Sequence, residues 1–179
     1  MRNIFHWFYC LPIEYAFILT LLATSLFLII WKKFRSTPYW KGIISILLIC
    51  WIATILYGTL GQRAEGEASS KPILIPFHSY YIALNGGQKE LFRANFMNTV
   101  LFYPAGLLSC ALLTKCRLRS RLLIICAFAL FSIGIEYTQY RLELGLAETD
   151  DFIHNTLGAL LGVLACGIPA RVTALRKRE

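Results

Sequence analysis

The sequence predicts an all-α integral membrane protein, with five transmembrane helices in a single domain over residues 1–179. The chain is 57% hydrophobic and only 16% charged, whereas soluble domains carry charge on about a quarter of their residues. The apolar residues fall into five blocks separated by short polar stretches, and most basic residues flank these blocks. Composition and pattern therefore both indicate a chain that crosses a bilayer repeatedly.

Each apolar block has about the length that a bilayer requires. A helix rises about 1.5 Å per residue, so about 20 mostly apolar residues cross a hydrocarbon core about 30 Å thick. The first block is too long for the apolar part of a cleavable signal, and its basic residues follow it instead of preceding it. The predicted spans cover residues 11–31, 42–60, 96–114, 122–140 and 152–170.

The loop between the second and third spans contains a further apolar stretch, residues 72–84 (PILIPFHSYYIAL). This stretch is too short to span a bilayer, and Pro76 interrupts it. Tyr80 and Tyr81 are typical of the headgroup level of a membrane. The pattern therefore predicts an interfacial or re-entrant segment that ends in a turn at Asn85, Gly86 and Gly87.

The basic residues predict the orientation. Twelve of the 18 lie between spans one and two, between spans three and four, and after span five, and six lie on the other side. The side with more Lys and Arg is cytoplasmic, so we expect the N-terminus outside, the C-terminus in the cytoplasm and the second loop outside. Basic residues that flank transmembrane spans explain the net charge of +8 better than nucleic-acid binding does.

The six cysteines form no CxxC pair and lie mostly within or beside apolar blocks. Free thiols there behave as small hydrophobic groups. We therefore expect no disulfide framework, no metal site and no cofactor. The sequence does not define the oligomeric state.

Several polar residues lie within the predicted spans, where an ionisable group is costly unless it is paired or hydrated. In the predicted topology these residues all fall near the outer ends of spans three, four and five. We therefore predict an outward-facing polar pocket lined by Asn98, Glu136, Gln139, Asp150, Asp151 and Asn155. Arg93 and Arg141 are the possible cationic partners of Glu136.

Other interpretations of these residues stay open. Asn98, Gln139 and Asn155 can serve as hydrogen-bonding contacts between helices, and His154 can be a packing residue. We expect one of Asp150 and Asp151 to cap span five. Helix-packing roles are predicted for the residues that permit close approach or bend span three, which are Pro104, Gly106, Gly158 and Gly162.

Four segments resemble motifs of VanZ-like membrane proteins. Residues 98–106 (NTVLFYPAG) match an NxxxFxPxG segment, and residues 136–139 (EYTQ) match an ExxQ helix. Residues 150–162 (DDFIHNTLGALLG) match a DDxxxNTxGxxxG segment. Residues 73–77 (ILIPF) resemble an NLIPF motif in which Ile73 replaces the asparagine. The resemblance covers about residues 73–166.

The resemblance implies a multi-pass protein of the bacterial cytoplasmic membrane that is associated with resistance to teicoplanin-type lipoglycopeptides. It does not supply a reaction. The favoured hypothesis is a non-enzymatic protein whose pocket binds an amphipathic ligand, such as a lipid-linked wall precursor, an anionic polymer anchor or the acyl tail of a lipoglycopeptide. Membrane lipid is a further expected partner. The alternative is an intramembrane hydrolase or transferase in which Glu136 acts as acid or base and Asp151 and His154 bind a metal or activate water.

Overall fold

The computed structural model describes residues 12–61, 71–88, 90–113 and 117–167. The elements in these ranges are α1 (Ile13–Phe34), α2 (Trp40–Leu56), α3 (His78–Asn85), α4 (Glu90–Ala111), α5 (Leu118–Arg141) and α6 (Thr149–Cys166). A π-helical turn, Tyr57–Gly61, extends α2. The all-α class predicted from the sequence is confirmed for the part of the chain that the structure describes.

Among the described residues, three helices are long and apolar enough to cross a membrane, namely α1, α2 with its π-helical turn, and α5. The third and fifth predicted spans correspond to α4 and α6, which begin at Glu90 and Thr149, earlier than the apolar blocks indicate. Five crossings and their orientation stay predictions. Residues 11, 114 and 168–170 of the predicted spans lie outside the described residues, as do Cys10 and Cys116.

The centre of the fold is the pair formed by α4 and α6. A Cβ on Gly158 would lie 2.2 Å from the Thr99 carbonyl oxygen, and one on Gly162 would lie 2.1 Å from that of Tyr103. A Cβ on Gly106 would lie 2.1 Å from the Ala159 carbonyl oxygen. The two helices therefore run in the same direction, and their backbones touch at positions where only glycine fits.

The other three long helices cover this pair. The hydroxyl groups of Thr24 in α1 and Tyr103 in α4 are hydrogen-bonded, with their oxygens 2.9 Å apart. The indole N–H of Trp51 in α2 donates to the carbonyl oxygen of Leu101, 2.8 Å away. Leu101 lies in the turn before Pro104, and α4 runs through this proline without a break. The outward faces of α1, α2 and α5 expose leucines and isoleucines such as Leu22, Ile46 and Leu123.

The contacts also define the relative directions of the helices. Thr24 is hydrogen-bonded to Tyr103, and Trp31 shares a core cluster with Ala111, so α1 runs parallel to α4. Trp40 shares the same core cluster with Ala111, and Trp51 is hydrogen-bonded to Leu101, so α2 runs antiparallel to α4. α5 is likewise antiparallel to α6, because Ser132 meets Asn155 and Glu136 meets Glu148.

These directions give the bundle two chemically different ends. One end holds the end of α1 and the starts of α2 and α5, with Lys32, Lys33, Arg35, Lys41, Arg117, Arg119 and Arg121. We call it the basic end. The opposite end, which we call the polar end, holds α3 and the starts of α4 and α6.

Candidate functional site

The carboxylate of Asp150 attaches α3 to the start of α6. Its oxygens accept hydrogen bonds from the backbone N–H of Phe77, from that of Ser79 at 2.8 Å and from the Ser79 hydroxyl. Asn95 of α4 donates to the same hydroxyl over 2.8 Å. Asp150 is only 1% exposed. It therefore supplies the side-chain cap for a helix distant in sequence, at whose start Phe77 adopts a left-handed conformation (φ 61°).

The prediction that one of the two aspartates caps span five is wrong. The N-cap of α6 is Glu148, which makes no side-chain cap hydrogen bond, and both aspartates lie in the first helical turn. Their negative charge is favourable there because the N-terminus of a helix carries partial positive charge. The carboxylate of Asp150 points back to the loop because α3 offers it backbone donors.

The loop before α3 is also held by its backbone. The N–H of Ile73 donates to the Ala147 carbonyl oxygen over 2.9 Å, and the Ile73 carbonyl accepts from the N–H of Thr149 over 3.0 Å. These two bonds form an isolated parallel bridge between Ile73 and Glu148. Because both bonds use backbone groups, the bridge forms with Ile73 at the position where the NLIPF motif has asparagine.

His154 connects α6 to α3 from inside the protein. Its Nδ1 lies 2.6 Å from the Asp150 carbonyl oxygen, and its Nε2 lies 2.7 Å from the hydroxyl of Tyr80. Since a carbonyl oxygen only accepts, Nδ1 carries the hydrogen and Nε2 can accept from Tyr80. Burial, with a smaller contribution from the charge of Asp150, raises the pKa of Tyr80 above 10.0 and keeps its phenol protonated. A metal on His154 would have to displace one of these bonds.

The amide side chains of the predicted pocket connect helices. Asn98 donates to Asp151 over 2.7 Å. Asn155 donates to the Ser132 hydroxyl over 2.9 Å. Gln139 donates to the carbonyl oxygen of Thr59, in the π-helical turn, over 3.0 Å.

These amide contacts hold α4, α5, α6 and the end of α2 together at the polar end. Gln139 and Asn155 are buried at 1% and 3% exposure.

Glu136 occupies a different position, in a cavity of about 330 Å³. We call it the Glu136 cavity. It lies between the loop before α3, the end of α5 and the start of α6, and its walls are mostly apolar. The lining residues are Pro72, Leu74, Ile133, Glu136, Tyr137, Tyr140, Ala147, Glu148, Thr149 and Phe152. The Glu136 carboxylate accepts the backbone N–H of Glu148 over 3.0 Å.

Glu136 is therefore the one predicted pocket residue among those that line this cavity. Asp151 and His154, its proposed catalytic partners, do not line it. In the described ranges no cluster of three or more His, Cys, Asp or Glu side chains could hold a metal ion. Of the two suggested partners of Glu136, Arg93 instead forms an ion pair with Glu90 at 3.1 Å, and Arg141 is exposed.

Sequence reasoning missed Ser79, Tyr80 and Asn95 as members of the polar cluster. Asn95 lies one helical turn before Asn98 and Thr99, and that spacing is a signal for a shared helix face. Hydropathy alone does not include Asn95 in a predicted span, because the apolar block begins only at residue 96. A second, larger cavity of about 520 Å³ lies on the α1 side of α4 and α6. Most of its lining residues are apolar, and Arg121 also lines it.

Comparison with known proteins matches residues 44–169 to the model of the VanZ/LLP1 family. Comparisons with curated proteins and with solved structures give no match.

Proposed function

Because the chain belongs to the VanZ/LLP1 family, we propose that it is a multi-pass protein of the bacterial cytoplasmic membrane that binds an amphipathic envelope ligand in the Glu136 cavity. In this proposal α4 and α6 also cross the membrane, with the polar end outside. Their lower hydropathy is compatible with crossing, because their polar residues contact each other, α3 and α5 within the protein, and because α1, α2 and α5 cover them.

The observation that carries the proposal is the composition of the Glu136 cavity. A carboxylate lies among apolar and aromatic walls formed by side chains such as Leu74, Ile133, Tyr140 and Phe152. The volume of about 330 Å³ falls at the lower end of the range of small-molecule pockets, about 300–1,000 Å³. Such a cavity suits a ligand with a hydrocarbon part beside a hydroxyl, amide or ammonium group that donates to Glu136.

The walls of the cavity are held in place before any ligand arrives. Pro72 and Leu74 belong to the loop that the Ile73 backbone bonds and the Asp150 carboxylate attach to α6. A preformed wall lowers the entropy that binding must remove. The ligand classes in the proposal are a lipid-linked wall precursor and the acyl tail of a teicoplanin-type lipoglycopeptide, the latter conferring tolerance to the drug.

Binding is favoured over catalysis because of where the candidate catalytic residues lie. Acid–base chemistry needs its groups within hydrogen-bond reach of one reacting centre. Asp151 contacts Asn98, and His154 contacts Tyr80 and the backbone of Asp150. Glu136 is directed to the backbone of Glu148. In the described part of the chain, these contacts do not direct the three groups to one reacting centre.

Replacing Glu136 is expected to reduce teicoplanin tolerance, with a larger loss for Glu136→Ala than for Glu136→Gln. Glu136→Ala removes the acceptor, whereas Glu136→Gln keeps one oxygen and should retain partial function. Loss of a charge-assisted hydrogen bond of about 1.5–3 kcal/mol corresponds to about 10- to 150-fold weaker ligand binding. The measurement is teicoplanin tolerance of a susceptible bacterium that expresses each variant, with vancomycin, which lacks the acyl tail, as the comparison drug.

A pair of bulky substitutions provides the control. Ile133→Trp fills the Glu136 cavity without removing the carboxylate, whereas Leu130→Trp adds the same bulk on the exposed face of α5. We expect the first to abolish tolerance and the second to preserve it. Full tolerance in both Glu136 variants and in Ile133→Trp would remove this cavity from any account of function. Equal protection against vancomycin would argue against a role for the acyl tail.

A further inference from the structure

The outward face of α3 is apolar, the reverse of what a loop helix in water shows. Residues 72–85, which we call the α3 segment, contain no Asp, Glu, Lys or Arg. Its polar side chain Ser79 faces the bundle and is only 3% exposed. The large apolar side chains on its outer side are 58% to 74% exposed, and they are Leu74, Ile75, Phe77, Tyr81 and Leu84. A continuous exposed apolar patch of this kind marks a contact with protein or membrane.

The α3 segment docks beside α5 and not beyond its end. Ile73 forms its backbone bridge with Glu148, whose N–H donates to the Glu136 carboxylate. Glu136 lies five residues, or about 7.5 Å, before the end of α5 at Arg141. A helix of 24 residues is about 36 Å long and extends about 3 Å beyond each face of a hydrocarbon core about 30 Å thick. The α3 segment therefore begins level with the outermost part of the hydrocarbon, where interfacial helices lie.

The open side of the Glu136 cavity is continuous with the lipid-facing surface of α5. Ile133, Tyr137 and Tyr140 line the cavity and are 45% to 62% exposed. They follow the exposed Leu130 at steps of three and four residues, so all four side chains lie on one side of α5. Leu74 lines the cavity from the α3 segment and is itself exposed. Apolar side chains thus border the mouth of the cavity on both sides.

Aromatic and basic residues mark the level at which this mouth lies. Tyr137 and Tyr140 have the amphipathic rings that are typical of the headgroup level of a membrane. Arg141 directly follows Tyr140, and Lys71 directly precedes the lining residue Pro72, and both basic residues are exposed. Tyrosines with basic side chains next to them are the arrangement of a membrane boundary. A water-filled entrance would not need an apolar border at this level.

We propose that the Glu136 cavity opens sideways into the leaflet at the polar end, and that its ligand is a lipid of that leaflet. The α3 segment is seated in the same leaflet beside the mouth. The lipid chain enters between Leu74 and Tyr137 without leaving the hydrocarbon, and a hydroxyl, amide or ammonium group next to the chains donates to Glu136. This inference rests on the function proposed above and narrows the ligand to a molecule that is already dissolved in the bilayer.

The placement is tested on the full chain in liposomes, with a nitroxide label on single cysteines introduced into a variant without the six native cysteines. Oxygen is concentrated in hydrocarbon and a nickel(II) chelate in water, so their relative collision rates with the label report its depth. We expect Leu74→Cys, Tyr81→Cys and Leu84→Cys to favour oxygen, as does the reference Leu130→Cys on the lipid face of α5. Gln88→Cys, exposed just beyond the α3 segment, should favour the chelate.

Entry of a lipid is tested with a phosphatidylethanolamine whose acyl chain carries a photoactivatable diazirine. We expect crosslinks within residues 147–152, four of which line the cavity. The matching phosphatidylcholine has no N–H in its headgroup and should give about tenfold fewer, the scale of one charge-assisted hydrogen bond. Glu136→Ala should lose this preference. Ile133→Trp should abolish the crosslinks, whereas the matched control Leu130→Trp should keep them.

The proposal would be overturned by labels on the α3 segment that favour the nickel chelate, or that are shielded from both reagents as beneath a protein partner. Equal crosslinking in Ile133→Trp and Leu130→Trp would overturn it as well. If such results accompanied loss of teicoplanin tolerance in the Glu136 variants, the proposed function would stand without the lipid route. Lipid-exposed labels and cavity crosslinks with full tolerance in those variants would support the lipid site and contradict its role in tolerance.

Discussion

Replacing Gly162 by alanine is expected to destabilise the protein by about 3 kcal/mol or more, since overpacking a closely packed interior typically costs 1–3 kcal/mol and this site cannot relax easily. The new methyl group would lie 2.1 Å from the Tyr103 carbonyl oxygen and 2.6 Å from the Leu107 nitrogen. Both atoms belong to the backbone of α4, so relief requires the central helices to separate. The measurement is thermal unfolding of the purified protein in detergent.

Gly134→Ala is the matched control for this substitution. It makes the same chemical change inside α5, where an added Cβ would meet nothing within 4 Å. Because glycine inside a helix is less favourable than alanine by about 0.5–1 kcal/mol, this variant should be slightly more stable than the natural chain. The two substitutions should thus act in opposite directions. A Gly162→Ala protein as stable as Gly134→Ala would contradict the close backbone contact of α4 and α6.

Asp150→Asn is expected to detach α3 from α6 and to cost about 3 kcal/mol, because buried donors that lose their acceptor each cost about 1–3 kcal/mol. The carboxylate receives hydrogen bonds from two backbone N–H groups and the Ser79 hydroxyl, on both of its oxygens. An asparagine has a single acceptor oxygen, and its NH₂ would face one of these donors. Limited proteolysis of residues 71–88 together with thermal unfolding measures the effect.

The neighbouring substitution Asp151→Asn is isosteric and lies in the same helical turn. Its remaining oxygen can still accept the hydrogen bond from Asn98, so we expect a smaller loss of stability and an intact loop. If the two variants were cleaved equally fast and lost equal stability, the assignment of Asp150 as the cap of α3 would be wrong.

Much of the architecture followed from hydropathy and charge. Long apolar blocks predicted α1, α2 and α5 to within a few residues, because lipid-facing helices need continuous apolar surface. The start of α4 was predicted least well, at residue 96 instead of Glu90, because this central helix carries polar residues in its first turns. A hydropathy criterion leaves such polar turns out of the predicted span, although they are part of the helix.

The candidate site was only partly predictable, because its partners come from distant parts of the chain. Helical spacing predicted that Glu136 and Gln139 share one face of a helix and line one pocket. In the structure, Gln139 donates to the Thr59 carbonyl oxygen of the π-helical turn, whereas Glu136 lines the Glu136 cavity. The cap that Asp150 provides depends on how a loop docks. Neither a π-helical turn nor the docking of a loop leaves a periodic signal in the sequence.

The proposed function requires the polar end, with the Glu136 cavity, to lie on the outer side of the membrane. Single cysteines introduced into a variant without the six native cysteines test this placement with a membrane-impermeant maleimide added to intact cells. We expect Leu142→Cys and Glu90→Cys at the polar end to be labelled, and Ser36→Cys and Arg119→Cys at the basic end to react only after the cells are permeabilised. The reverse pattern, or labelling of Leu142→Cys and Glu90→Cys from opposite sides, would contradict the account.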